Sequence, residues 1–428
     1  MIRVREYARL TTDTEAQPSL YCGVVTQATF DWLQDLTSDW KGSPPVALID
    51  GHRSLKLGSY VGFLRSPSGE SIEVLPKTRL GFENPEEARK ILQRMLQASL
   101  GIKPRVIGSA SLLRKNEPLH EWIFSQFLAE LQLLVQRGLR FDYERVQEES
   151  RYIRGRLQVS QQQRQLPGKQ HLFYIEHDVF SPNRIENRLL KSALESVRLC
   201  CKSNENWRVA NELSHLMADV PSDASPLHSL DKWANNKLMQ SYEPVKPWCR
   251  LIIEELNPNF QKGLHKGISL LFPMEVLFEK YVEASLSKVV TAGASLKAQA
   301  SSLYLVNHKP EGADATSKMF QLKPDLMLET GQQKQVLDTK WKLLDQQTGN
   351  SNDKYGISQS DLYQLFAYGH KYQNGSGHMM LIYPSHEGFD TPLPKFKFSE
   401  ELTLWVVPFC LRSGKLVRGD WREIFPLN

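Results

Sequence analysis

Two acids and a lysine, Asp325, Asp338 and Lys340, share the stretch "KPDLMLETGQQKQVLDTKWK" (323–342), which alternates like a β-hairpin. With Gly331 and Gln332 as the central pair of a turn that prefers glycine first, Thr330 faces Gln333 and, further along, Asp325 faces Asp338. Residues opposed on antiparallel strands hold their Cβ atoms about 4.5–5.5 Å apart. Two carboxylates at that spacing repel unless something positive intervenes. Asp338 and Lys340 stand two apart on one strand and project to the same side, so all three groups converge. Paired carboxylates are hard oxygen donors suited to Mg²⁺, which keeps several waters and an open position for a phosphate oxygen. A metal-polarised water beside a lysine is equipped to attack a phosphodiester. Lys340 then orients or deprotonates the nucleophile, or neutralises the developing anion.

The flanking elements supply further candidates. Glu279 lies in "PMEVLFEKYVEASLSKVV", which reads as an amphipathic helix with Val276, Leu277, Tyr281 and Leu286 toward the core. There it is a candidate third metal ligand, direct or through water, or a solvent-facing acid. Gln364 and Tyr368 are four apart in the helix "SQSDLYQLFAYGHKY" and so share a face, where they steady the lysine or a phosphate, or pack in the core.

The elements that position these residues belong to an α/β multidomain chain. Its 428 residues are long for one core. Residues 1–84 alternate short apolar runs with Gly, Pro and Ser and read as a β-rich N-terminal domain. Residues 85–264 form a mainly helical middle region, opened by "NPEEARKILQRMLQASLG" with Asn84 as N-cap and followed by "LHEWIFSQFLAELQLLVQRGL" ending at Gly138. A basic strand and loop segment interrupts it near 145–180, carrying Arg151, Arg154 and Arg156 around Gly155. Residues 265–428 order helix, strands, helix and strands around one sheet.

Composition narrows the setting. The net charge of +5 is unevenly spread: Arg89–Lys169 holds fifteen Lys or Arg against seven Asp or Glu. That excess suits phosphates or an acidic partner, and equally solvated helix faces. No apolar run approaches a membrane span and the N-terminus lacks the apolar middle of a signal peptide, so a cytoplasmic protein with no membrane contact is expected. Five cysteines without a C-x-x-C pair point to free, mostly buried thiols rather than disulfides or zinc.

Lys323-Pro-Asp325, Asp338-Thr-Lys340, the upstream "FEKYV" and the downstream "DLYQLFAY" resemble the PD-(D/E)xK nuclease core. Together with "IEVLPK", "GLRFDY", "YIRGRL" and "NRLLKSAL", they resemble more narrowly the McrC family of McrBC-type modified-cytosine restriction systems. The resemblance implies a PD-(D/E)xK α/β domain at the C-terminus and a Mg²⁺-dependent endonuclease subunit acting on double-stranded modified DNA. It also implies an AAA+ GTPase partner of McrB type, whose hydrolysis this chain stimulates and which its N-terminal half, with the 1–84 domain, contacts. The chain itself has no G-x-x-x-x-G-K-[ST] phosphate loop, in keeping with that division of labour. Arg151, Arg154 and Arg156 are candidates for partner or DNA contact, or for a structural role in their turn. Two other readings stay open: a non-cutting adaptor that activates an AAA+ motor, and a stand-alone nuclease of the same fold in repair or transposition.

Overall fold

The computed structural model describes residues 1–40, 45–77, 85–102, 117–255, 267–300, 302–309, 311 and 316–427. It divides into two bodies, one built from 1–116 with 271–428, the other from 117–270. The expected N-cap Asn84 lies outside the described residues.

In the first body the chain begins with β1 (Ile2–Arg5), β2 (Arg9–Thr11), β3 (Cys22–Val24), α1 (Gln27–Asp39), β4 (Ala47–Ile49), β5 (Ser54–Leu57), β6 (Tyr60–Arg65) and β7 (Ser71–Leu75). The β-rich pattern holds, apart from α1, which Thr26 caps by accepting from the Thr29 amide. One sheet runs β3-β2-β5-β4. The core between strands and helix contains Leu10, Phe30, Leu33, Leu55, Leu64 and Val74. The helix α2 (Pro85–Ser99) groups with these strands. It is anchored by Arg89, which donates from Nε and Nη2 to the two oxygens of buried Glu73 on β7 at 2.8 and 2.6 Å. A two-point bond of this kind offsets the cost of burying both charges.

The second body is helical: α3 (Leu119–Arg137) ends at Gly138 as its sequence foretold. It continues through β8 (Asp142–Ser150), β9 (Arg156–Leu157), α4 (Val159–Gln162), β10 (Phe173–Ser181), α5 (Ile185–Cys200), α6 (Asn204–Leu216), α7 (Pro226–Ser229) and α8 (Lys246–Glu255). Glu121 of α3 accepts from the amides of Lys202 and Ser203, satisfying donors at the start of α6. Lys191 of α5 donates to the carbonyls of Ser214 and Met217 at its other end, where a cation also suits the helix dipole. The strands make a three-stranded sheet in the order β8-β10-β9.

The rest of the first body follows β11 (Ile268–Pro273), which pairs with β6 to complete the sheet β1-β7-β6-β11. Next come α9 (Met274–Leu286), β12 (Ala294–Ala298), β13 (Leu303–His308), β14 (Ser317–Leu322), β15 (Leu326–Thr330) and β16 (Gln333–Thr339). They are followed by α10 (Gln359–Gln373), β17 (Gly377–Pro384), β18 (Phe396–Lys397), β19 (Leu402–Cys410) and β20 (Lys415–Leu416). A seven-stranded sheet runs β12-β15-β16-β17-β19-β18, with β20 also on β19. The β15–β16 pair is antiparallel, while β16–β17 and β17–β19 are parallel. A parallel return requires a crossover, and α10 provides the one from β16 to β17. Val336, Leu365, Tyr368, Met379, Leu381 and Val406 form the core under α10.

Helix α9 departs from its expected core face at one position. Its buried residues Met274, Leu277, Phe278, Tyr281, Val282 and Ser285 follow helical spacing, and Val276 falls off that stripe into solvent. The five cysteines are free as expected, but only Cys249 is fully buried, where most were expected to be.

Candidate metal and phosphate centre

The hairpin forms in the register set by its turn. Thr330 pairs with Gln333 and the ladder runs to Leu326 with Leu337. Gly331 takes φ +59°, while Gln332 is not left-handed, as a glycine-first turn requires. Asp325 and Asp338 lie one step beyond the last paired residues of the hairpin, Asp325 just before β15 begins and Asp338 where β16 continues beside β17.

The two acids are held differently. Asp325 Oδ2 accepts from the Thr339 amide at 2.8 Å and from the Thr339 hydroxyl at 2.7 Å, which fixes its carboxylate beside β16. Asp338 is 1% exposed in the middle of the sheet. Lys340 Nζ lies 2.6 Å from its Oδ2, close enough for an ion pair. Among the described residues no donor other than that ammonium reaches either oxygen. Burial, and then the charge of Asp325, push the Asp338 carboxyl up to about 7. Lys340 moves the other way for its type: burial opposes its charge, but Asp338, Asp325 and Asp361 outweigh it and hold the ammonium above its ordinary value.

Of the remaining sequence candidates, Glu279, Gln364 and Tyr368 belong to the same body as this pair. Glu279 accepts from Gln299 Nε2 at 3.0 Å, and burial together with Asp325 raises its carboxyl. Tyr368 accepts from Gln364 Nε2 at 2.7 Å and donates to the Lys323 carbonyl at 2.8 Å. Gln364 and Tyr368 thus share a face, and their direct contact is with the backbone leading into Asp325. Arg151, Arg154 and Arg156 belong to the other body, where all three are exposed. Gly155 between them has φ +60°, and a Cβ there would sit 2.3 Å from the Glu176 carbonyl, so the turn closes tightly onto β10.

Three neighbours were missed in the sequence. Thr339, whose side chain and amide orient Asp325, was the middle letter of Asp-Thr-Lys and read only as a spacer. Gln299 joins Glu279 to the Asp325 carbonyl, which accepts its amide at 2.8 Å, and holds a left-handed φ of +46°. Nothing local marks it. Asp361 adds negative charge to both Asp338 and Lys340, and its place in the first turn of α10 was the available signal.

A divalent cation fits these donors. The oxygens of buried Asp338, with the Lys340 ammonium against Oδ2, and the remaining oxygen of Asp325 are hard ligands. Among the described residues no three His, Cys, Asp or Glu side chains surround one point. The two carboxylates of Asp325 and Asp338 are the kind of donor set that Mg²⁺ takes while keeping several waters.

The fold and the site define a mixed α/β protein with two acids and a lysine gathered where one strand ends beside another. The McrBC 5-methylcytosine restriction system component family matches residues 55–384, and the chain belongs to that family. The resemblance to McrC drawn from the motifs is borne out. No curated protein matches. Among solved structures, the chain is similar to one in a refined half-complex from a tetradecameric assembly of Thermococcus gammatolerans McrB AAA+ hexamers with bound McrC. The two are 18% identical over 96% of this chain and 94% of that one, with a TM-score of 0.68. A second match, in the cryo-EM structure of the Thermococcus gammatolerans McrBC complex, is 20% identical over 67% of this chain and 86% of that one, with a TM-score of 0.47. No described helix is long and apolar enough to cross a membrane.

Proposed function

We propose that this chain is the DNA-cutting subunit of a GTP-dependent restriction complex, acting on methylcytosine-type modified duplex DNA beside an AAA+ GTPase of McrB type. In this reading α9, the sheet and α10 form a PD-(D/E)xK nuclease domain within residues 265–428. The observation that carries it is Asp338: a buried carboxylate facing Asp325, with no close donor but Lys340 among the described residues, is an arrangement stability alone would select against.

Asp325 and Asp338 would hold Mg²⁺, with Glu279 contributing through water. The ion, when bound, supplies Lewis-acid stabilisation of the phosphate and a more acidic water. Lys340 stays protonated at neutral pH, because its neighbours hold it above the ordinary lysine value. Its role is therefore to place positive charge on the phosphate oxygens as negative charge builds there, rather than to remove a proton. Thr339 keeps Asp325 turned toward the site. Gln364 and Tyr368 fix the Lys323 carbonyl and so the approach of the strand that carries Asp325. The AAA+ assignment draws on the related assembly, in which McrC is bound to McrB AAA+ hexamers.

The test combines the full chain with its partner GTPase, GTP, Mg²⁺ and methylated or unmethylated DNA. Asp338→Ala should abolish cutting of modified DNA while GTP hydrolysis is still stimulated. Cutting at the parent rate would end the assignment.

A further inference from the structure

Beside the centre, within the same body, lies a cavity of about 390 Å³ lined by Tyr7, Lys56, Lys77, Trp341, Lys342 and Leu343, with Pro384 at its border. The volume lies within the roughly 300–1,000 Å³ of small-molecule sites, enough for one nucleotide unit. None of the lining residues is acidic, and three are lysines that are exposed at the surface. Among the described residues, none of those three lysines has a carboxylate partner within ion-pair distance, although the charge of Lys77 acts on Glu6. Two acids stand nearby, and the charges of both act on Tyr7. Glu6 is 1% exposed and accepts from the Lys77 amide and from Trp341 Nε1, both at 2.7 Å; Glu275 is exposed and acts on Glu6 only through its charge.

Two aromatic rings accompany the lysines. Tyr7 holds φ +62°, a conformation a bulky residue adopts only when its surroundings impose it. Lys77 Nζ lies 5.6 Å from its ring centre. Trp341 is fixed by Glu6 and by Phe278, whose ring centre is 5.4 Å away. Chain connectivity sets the cavity's place: Trp341 and Lys342 directly follow Lys340, whose amide bonds to Ile382, two residues before Pro384.

We infer that this cavity is a subsite for the DNA strand next to the scissile phosphate, with Lys56, Lys77 and Lys342 on backbone phosphates and Tyr7 or Trp341 against a base. Flexible ammonium groups suit phosphates without reading sequence, and base stacking on aromatic rings is tolerant of base identity. The inference rests on the reading of Asp325, Asp338 and Lys340 as a phosphodiester centre. It makes the N-terminal strands part of the substrate path, through Tyr7, Lys56 and Lys77.

The test measures binding of the full chain to a fluorescein-labelled duplex in EDTA, where no cutting occurs, across a salt series. Lys56→Ala/Lys77→Ala/Lys342→Ala should weaken binding on the order of tenfold or more and lower the slope of log affinity against log salt by roughly two to three. Tyr7→Asn, which removes the ring and tolerates the left-handed backbone, should weaken binding with the slope unchanged. All four positions are at the surface, and melting curves should coincide with the parent's. Undetectable binding by the parent at low salt, or an unchanged slope in the triple variant, overturns the inference. Protection of these lysines from acetylation by GTP or pyrophosphate, but not by DNA, assigns the cavity to a free nucleotide and also overturns it. Asp338→Asn, assayed separately for cleavage with the partner GTPase, GTP and Mg²⁺, separates the two readings. If it cuts like the parent while the lysine result holds, the nuclease assignment fails and the subsite stands.

Discussion

Asp338→Asn is expected to make the metal-free protein more stable at pH 8 while abolishing cleavage. The Asp338 carboxyl is raised from 3.8 to about 7, with burial as the main cause and Asp325 second. The unfolded chain gives up this proton near 3.8, whereas the folded chain keeps it to about 7. Across that window the folded state carries the extra proton, so each step up in pH costs stability; the penalty is absent below about 4 and complete above about 7. A shift of about three units corresponds to ~4 kcal/mol. The attraction of Lys340 is already contained in it. Asn resembles the protonated acid at every pH, so the variant should gain about 2–4 kcal/mol at pH 8, or roughly 4–8 °C in melting temperature. The gap should shrink steadily toward pH 4.5. Mg²⁺ should raise the melting temperature of the parent and leave the variant unmoved, since a ligand stabilises only the state that binds it. The assay is thermal melting of the full chain in EDTA at several pH values, repeated with Mg²⁺. A variant that melts below the parent at pH 8, or a gap independent of pH, would refute the reasoning.

Tyr368→Phe removes a hydroxyl that accepts from Gln364 and donates to the Lys323 carbonyl; about 1–2 kcal/mol of stability and on the order of tenfold in cleavage rate should be lost, read by melting and by single-turnover cutting, and an unchanged rate would remove the residue from the centre. Gly155→Ala places a methyl 2.3 Å from the Glu176 carbonyl at φ +60° and should cost ~2 kcal/mol or more, visible as faster amide exchange along β10. By contrast, Arg154→Ala/Arg156→Ala, at exposed positions, should leave melting unchanged and weaken association with the partner GTPase or with DNA; unchanged binding to both would assign the arginines no role there.

Much of the centre was legible because its rules are local. The glycine-first turn sets the hairpin register, period-two alternation puts Asp338 and Lys340 on one side, and four-residue spacing puts Gln364 beside Tyr368. Helices α3, α9 and α10 likewise follow from apolar spacing and end signals in their own residues. What only the tertiary structure decided depends on groups brought together from distant parts of the chain. The depth of Asp338 comes from β17 pairing alongside β16, the restraint on Asp325 from Gln299 and Thr339, and the grouping of α2 with the N-terminal strands from the Arg89–Glu73 bond. Tyr7 meets Trp341 across the fold for the same reason: burial and proximity arise from packing between remote segments, which no local spacing rule encodes.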